Sequence, residues 1–187
     1  PDFSEVPPDD AKDIYNLKYP PYYDENRFFF IEDLDAFGIF SDFFYSRNIV
    51  QPQLAYKATG SLGKTRWGIL GAWDKKIVSE GELINPDDYF QLLSIIPTIG
   101  NFTMGNAFIA RTNTGYYNYV YSGVYEYRLS KVLSLNTSLA GSLRKNENEE
   151  DNSLKKGYLG QIGINYYPGK WENSLYIAKI SKDIFAD

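Results

Sequence analysis

The stretch Asn118–Arg144, NYVYSGVYEYRLSKVLSLNTSLAGSLR, decides the reading of the fold. In its first half Tyr119, Tyr121, Tyr125 and Tyr127 share one face of a strand, while Asn118, Ser122, Glu126 and Arg128 share the other. The split follows from side chains alternating across an extended chain. Leu129–Leu133 reads as a short turn. The return strand sends Leu133, Leu135, Leu139 and Leu143 to one side, with Ser134, Asn136, Ser138, Ser142 and Arg144 on the other. A soluble sandwich alternates too, so one hairpin establishes only a half-buried pair. The recurrence of the pattern, and the placement of the aromatic rings, carry the argument further.

Aromatic residues make up 17% of the 187-residue chain, with 17 Tyr and 12 Phe. That is more than a core needs and is typical of chains that place rings at an interface. The hydrophobic fraction is 43%, yet mean hydropathy is −0.40. No apolar run reaches the roughly 20 residues a membrane-spanning helix needs, so a helical membrane protein is excluded. Net charge is −5 and no basic cluster stands out, which gives nucleic-acid binding no support. The chain has no Cys and no His. Disulfides, thiolate or imidazole metal sites and His-based triads are therefore unavailable. The chain opens at Pro1 with no initiator methionine or signal peptide, and so reads as an excised or processed segment.

From Gln51 onward the sequence predicts eight strands of about 9 to 12 residues, close to what a tilted membrane-spanning strand requires. They run near Gln51–Gly60, Thr65–Trp73, Asp88–Ile96, Asn101–Thr112, the two strands within Asn118–Arg144, Gly157–Tyr167 and Trp171–Ser181. Tight turns are expected at Ser61–Lys64, Pro97–Gly100 and Pro168–Gly169, a modest loop at Asn113–Tyr116, and long connections at Asp74–Asp87 and Lys145–Lys156. This alternation of short and long connections matches an up-and-down outer-membrane barrel rather than a Greek-key sandwich.

The rings support the same reading. Tyr119 and Tyr127 lie eight positions apart on one face, as do Tyr158 and Tyr166. That is about 26 Å along a strand, or about 20 Å along the membrane normal at a tilt near 40°. Trp67 and Trp73 bracket Ile69, and Phe102 and Phe108 bracket Met104. These eight rings are the candidate girdle facing lipid. Lys57, Arg66, Arg111, Glu126 and Arg128 fall on the opposite face or near a strand end, as a wet lumen requires. Asn106 breaks the scheme, and YFQLLSII at residues 89–96 is apolar on both sides, so its facing cannot be read. A soluble barrel or sandwich holding a small apolar ligand or saccharide is the alternative, with the Tyr and Leu faces turned inward.

Residues 1–50 differ in character, with Pro7-Pro8, Pro20-Pro21 and the aromatic-acidic run DENRFFFIEDLDAFGIFSDFFYSRNI; only Asp13–Tyr19 alternates as a strand. PDFSEV, YYDENRFFFIE, FFYSRNI and YKATGSLGKTRWGIL, in that order over roughly Pro1–Leu70, resemble the outer-membrane barrel domain of unknown function that follows a family-nine-like carbohydrate-binding domain in Gram-negative envelope proteins. Arg27, Glu32, Tyr45, Ser46, Arg47, Lys57 and Gly60 match that pattern. Asp24–Phe28 departs from its usual Pro-Glu-Lys-Arg-Pro, and Asn48 replaces the second arginine of Ser-Arg-Arg-Ile. The resemblance implies an outer-membrane location, an association with glycan handling through an upstream domain absent from this chain, and a larger barrel that continues beyond Asp187.

The expectation is thus an all-β, antiparallel, up-and-down transmembrane barrel. Residues 51–187 supply about eight strands, and residues 1–50 form a lumenal plug or first strand. A lumenal polar network of Arg27, Glu32, Arg47, Lys57, Arg66, Glu126 and Arg128 is predicted, with Arg27 and Arg47 paired to Glu32 or Glu126. Glu32, Asp33 and Asp35, with Asp24 and Glu25, include enough carboxylates for a glycosidase pair, but read better as caps and ion-pair partners. The same run lacks the spacing and central glycine of a calcium loop. Stacking of a sugar on Tyr22, Tyr23, Phe28 or Phe30 is conceivable, although such runs more often pack. No enzyme activity, cofactor, metal or nucleic acid is expected; the expected partners are the bilayer and, through the upstream domain, glycans.

Overall fold

The structure is a computed structural model that describes residues 25, 27–33, 36–37, 43–75, 77–79, 82–85, 87–148 and 151–184. Asp13–Tyr19, the one strand expected in the N-terminal region, lies outside the described residues, as do Tyr22, Tyr23, Asp24 and Asp35. Eight strands form one antiparallel sheet in the order β1 (Pro52–Leu62), β2 (Thr65–Asp74), β5 (Tyr89–Ile99), β6 (Phe102–Asn113), β7 (Tyr116–Arg128), β8 (Leu133–Asn146), β9 (Lys155–Tyr166) and β10 (Asn173–Ile180). Sequential neighbours pair in space throughout, the up-and-down connectivity that short hairpins favour. The sheet is open, with β1 and β10 as its two edges.

Three connections differ from the sequence reading, each for a local reason. Pro97 does not end its strand: β5 continues to Ile99, and Gly100 (φ 58) with Asn101 makes the turn. Thr98 N–H donates toward β2, to Lys64 O at 3.1 Å, so the nitrogen of Pro97 points toward β6. The β5–β6 pairing skips Ile96 and Pro97, so the missing N–H falls where the ladder is already interrupted. The loop expected at Asn113–Tyr116 is a two-residue turn, because Gly115 takes φ 87 and lets Asn113 pair with Tyr116. Within the Asp74–Asp87 connection, β3 (Ile77–Ser79) and β4 (Glu82–Asn85) pair as a separate hairpin.

Cross-strand register divides the sheet into two faces. One, here the inner face, is covered over β1 to β7 by the segment preceding the sheet. There Phe30, Ala36, Phe37 and Ile49 form a single core with Leu70, Ala72, Phe90, Leu92, Ala107, Ile109 and Val120. Burying each large aliphatic or aromatic side chain contributes about 1.5–3 kcal/mol. This cover assigns the strand that the sequence left undecided. Phe90, Leu92, Ser94 and Ile96 of β5 face inward beneath it, while Tyr89, Gln91, Leu93 and Ile95 face outward and exposed. Gly68 is required at the contact: a Cβ there would stand 2.6 Å from the ring of Phe37. At the far end of the inner face a Cβ on Gly157 would meet the Asp183 and Ile184 backbone, so the residues after β10 cross over β9.

Candidate functional site

The outer face is the larger candidate surface. Trp67, Trp73, Phe102, Phe108, Tyr119, Tyr127, Tyr158 and Tyr166 all fall on it by register. Trp73 stacks on Tyr89 at 5.6 Å and Phe108 on Tyr119 at 5.9 Å, while Phe102 meets Tyr127 edge-on at 6.3 Å. Between the rings lie exposed aliphatics, among them Ile69, Leu93, Ile95, Leu139, Ile162, Ile164 and Ile177. Trp67, Ile69, Leu93, Ile95, Phe108 and Tyr121 line an apolar groove of about 400 Å³.

Asn106, the residue that broke the alternation scheme, does face outward, opposite Gly123. Its Oδ1 accepts from the Tyr121 hydroxyl at 2.8 Å and from the Tyr125 hydroxyl at 3.2 Å. Tyr125 reaches it by lying across Gly123, where a Cβ would come within 2.5 Å of the Tyr125 hydroxyl. The polar misfit is thus satisfied within the face by two ring hydroxyls, whose bodies remain apolar.

On the inner face, the seven residues expected to form one polar network separate into distinct sites. Arg27 pairs with Glu25 at 2.7 Å, and with neither Glu32 nor Glu126. It also donates to Ile49 O at 2.5 Å and Ser46 O at 2.7 Å. Its guanidinium lies 4.4 Å from the Phe30 ring centroid. Glu25 in turn accepts from the Ser46 hydroxyl at 2.5 Å. Burial alone would raise the Glu25 carboxyl, but hydrogen bonds from the Arg27 side chain, Ser46 and the Arg27 amide outweigh it and hold it below its ordinary value. Arg27 and Glu25 therefore staple the two ends of the covering segment to each other, because the fork of a guanidinium can serve a carboxylate and backbone carbonyls at once.

Lys57 of β1 ties that segment to the sheet. Its ammonium donates to Phe29 O at 2.8 Å and Glu32 O at 2.9 Å, and lies 3.7 Å from the Glu32 carboxylate. These carbonyls belong to the end of α1, a single helical turn (Phe28–Ile31), where an amine satisfies acceptors that have no partner in so short a helix. Asp33 follows with φ 55 and accepts from the Thr59 hydroxyl at 3.1 Å. Glu32 and Asp33 thus contact β1 residues. Arg47 lies in the 3₁₀ turn Ser46–Asn48, and Arg66 lies on the inner face of β2 near the Gly63 turn. Glu126 and Arg128 pair with each other at 3.0 Å, on the exposed turn end of β7. They line a cavity of about 620 Å³ together with Asn101, Ser130, Lys131 and Tyr167.

Two buried carboxylates escaped the sequence reading. Asp74 accepts from the backbone amides of Val50 at 2.7 Å and Gln51 at 2.6 Å, fixing the entry into β1. Asp88 accepts from Nε and Nη2 of Arg111, at 3.0 and 2.7 Å, and from the Asn113 side-chain amide at 2.5 Å. Both acids are fully buried. Their sequence signal is only a carboxylate at the edge of an apolar strand: Asp74 ends β2 and Asp88 precedes β5. No group of metal-ligating residues occurs among the described residues. No protein-family model, curated protein or solved structure matches the chain.

Proposed function

We propose that this chain is a wall segment of an outer-membrane β-barrel, non-enzymatic, acting as anchor or passage for a carbohydrate-recognition module. The observation that carries the reading is the chemistry of the outer face. Across eight strands it presents Trp, Tyr, Phe, Leu and Ile, and it holds no Asp, Glu or Arg. A charged side chain at the bilayer midplane costs about 2–4 kcal/mol, so lipid selects against it. In water, an apolar face of this extent is an aggregation liability. The covered inner face fits the same reading: the segment carrying Phe30, Phe37 and Ile49 occupies the lumenal side as a plug. Among the described residues β1 and β10 are the edges of the sheet, and in lipid those edges must be paired, by closure of the wall or by further strands, since unsatisfied backbone groups have no water to turn to. The glycan association and the larger barrel are supported by the resemblance of the first seventy residues.

The test is depth-dependent quenching. In a Trp171→Phe background, reconstituted protein should have its Trp67 and Trp73 emission quenched by brominated acyl chains and shielded from aqueous iodide. Heat-modifiable migration in detergent should accompany it. Recovery of the intact native protein from the soluble fraction, or iodide access to both tryptophans after reconstitution, overturns the reading and favours a soluble β-protein.

A further inference from the structure

The outer face holds three charged side chains within the eight-stranded sheet, all lysines, and all at one end of three adjacent strands. Lys145 is the penultimate residue of β8, Lys156 the second of β9, and Lys179 the penultimate of β10. Register places each on the side of the tyrosines and leucines: Lys145 opposite Tyr117, Lys156 opposite Leu143, and Lys179 opposite Gly160. β8 ends, β9 begins and β10 ends at the same edge of the sheet, the one bearing the 147–154 connection. The pattern is therefore one-sided in charge and in height.

We infer that Lys156, Tyr158 and Lys179 form a contact site for the phosphate-bearing headgroups of anionic lipids, with Lys145 beside it, and that this edge of the sheet lies in that headgroup layer. The inference rests on the bilayer reading above. Lys156 and Tyr158 point the same way two residues apart on β9, and Lys179 stands over the Tyr158 ring at 5.7 Å. Gly160, opposite Lys179, leaves that side chain free to lean across the ring. Lys179 thus stands over an amphipathic ring whose hydroxyl can donate to phosphate, and Lys156 emerges on the same side of β9. A lysine in such a position buries its stem in the acyl region and lifts its charge toward the surface. Glu147 takes Lys145 at 2.9 Å, which leaves Lys156 and Lys179 as the principal contacts. The opposing ends of the same strands supply outward Leu133, Tyr166 and Asn173 and no outward charge.

The test uses the full chain, refolded from detergent into vesicles of phosphatidylcholine alone or of equal parts phosphatidylcholine and phosphatidylglycerol, with tryptophan quenching as the measure of insertion. Wild type should insert into both and partition more strongly into the anionic vesicles, by roughly fivefold for each lysine engaged. Added salt should erase the difference. The double variant Lys156→Gln/Lys179→Gln should lose most of the preference while inserting normally into phosphatidylcholine. Lys156→Arg/Lys179→Arg should keep the preference, as should Lys64→Gln/Lys131→Gln at the opposite end. Wild-type insertion without anionic preference, or an undiminished preference in the glutamine variant, overturns the headgroup site alone. Failure to insert into either vesicle overturns both the site and the bilayer reading.

Discussion

Two halves of the inner face make the instructive contrast. On β2, β5 and β6 it presents Leu70, Ala72, Phe90, Leu92, Ala107 and Ile109, all buried under the N-terminal segment. On β8 and β9 the same face presents Ser134, Asn136, Ser138, Ser142, Gln161 and Asn165. The strands share one sheet, one register and one alternation, so local geometry does not distinguish them. What differs is the cover. Where hydrophobic residues from outside the sheet lie against a strand, apolar side chains are stabilised on its inner side; where no such core exists, polar groups are retained.

The largest test of what burial does compares a buried ion pair with an exposed one. Asp88→Ala should cost about 3 kcal/mol, because it removes the buried acceptor shared by the Arg111 guanidinium and the Asn113 amide. Glu126→Ala, which frees an exposed Arg128, should cost about 0–1 kcal/mol. Denaturant unfolding of both variants under one set of conditions measures the difference, and equal losses would break the link between burial and cost. Next in size, Lys57→Met should cost about 1–3 kcal/mol by leaving the Phe29 and Glu32 carbonyls without their donor. Limited proteolysis should then cut within residues 27–49 sooner, while the sheet persists; unchanged proteolysis would show that the core alone holds the segment down.

The smallest effect expected is the pH dependence of the Arg27–Glu25 staple. Its folded-state carboxyl titrates below the ordinary value of 4.5. Its stabilising contribution is therefore complete above that value and is lost as pH falls through the lower folded value. Protease susceptibility of the covering segment should rise on acidification, and Glu25→Gln should flatten that rise. An identical acid response in the variant would assign the loss to other carboxylates.

Much of the sheet was legible because alternation is a local property. The Tyr and Leu faces of β7 and β8, the outward position of the eight aromatic residues and the existence of all eight long strands follow from period-two patterning and turn residues. Strand ends were less legible, as Pro97 and Gly115 illustrate. Whether a proline ends a strand depends on which neighbour its nitrogen faces, and whether a glycine makes a tight turn depends on the register it closes. The polar network was the least legible part. Seven residues of suitable type predict one cluster, yet Arg27 closes on Glu25 two positions away, and Glu126 on Arg128.

By itself, then, the sequence determined that this protein alternates, that Tyr119, Tyr121, Tyr125 and Tyr127 share a face with the leucines of β8, and that acidic and arginine side chains avoid that face. Those are consequences of side-chain order along an extended chain. Only the tertiary structure decided which inner positions are dry, because the N-terminal segment that covers them comes from elsewhere in the chain. It also decided that Asp74 and Asp88 are buried anchors and that the two apolar sides of β5 meet different surroundings. Burial depends on contacts between residues distant in sequence, and no local period encodes it.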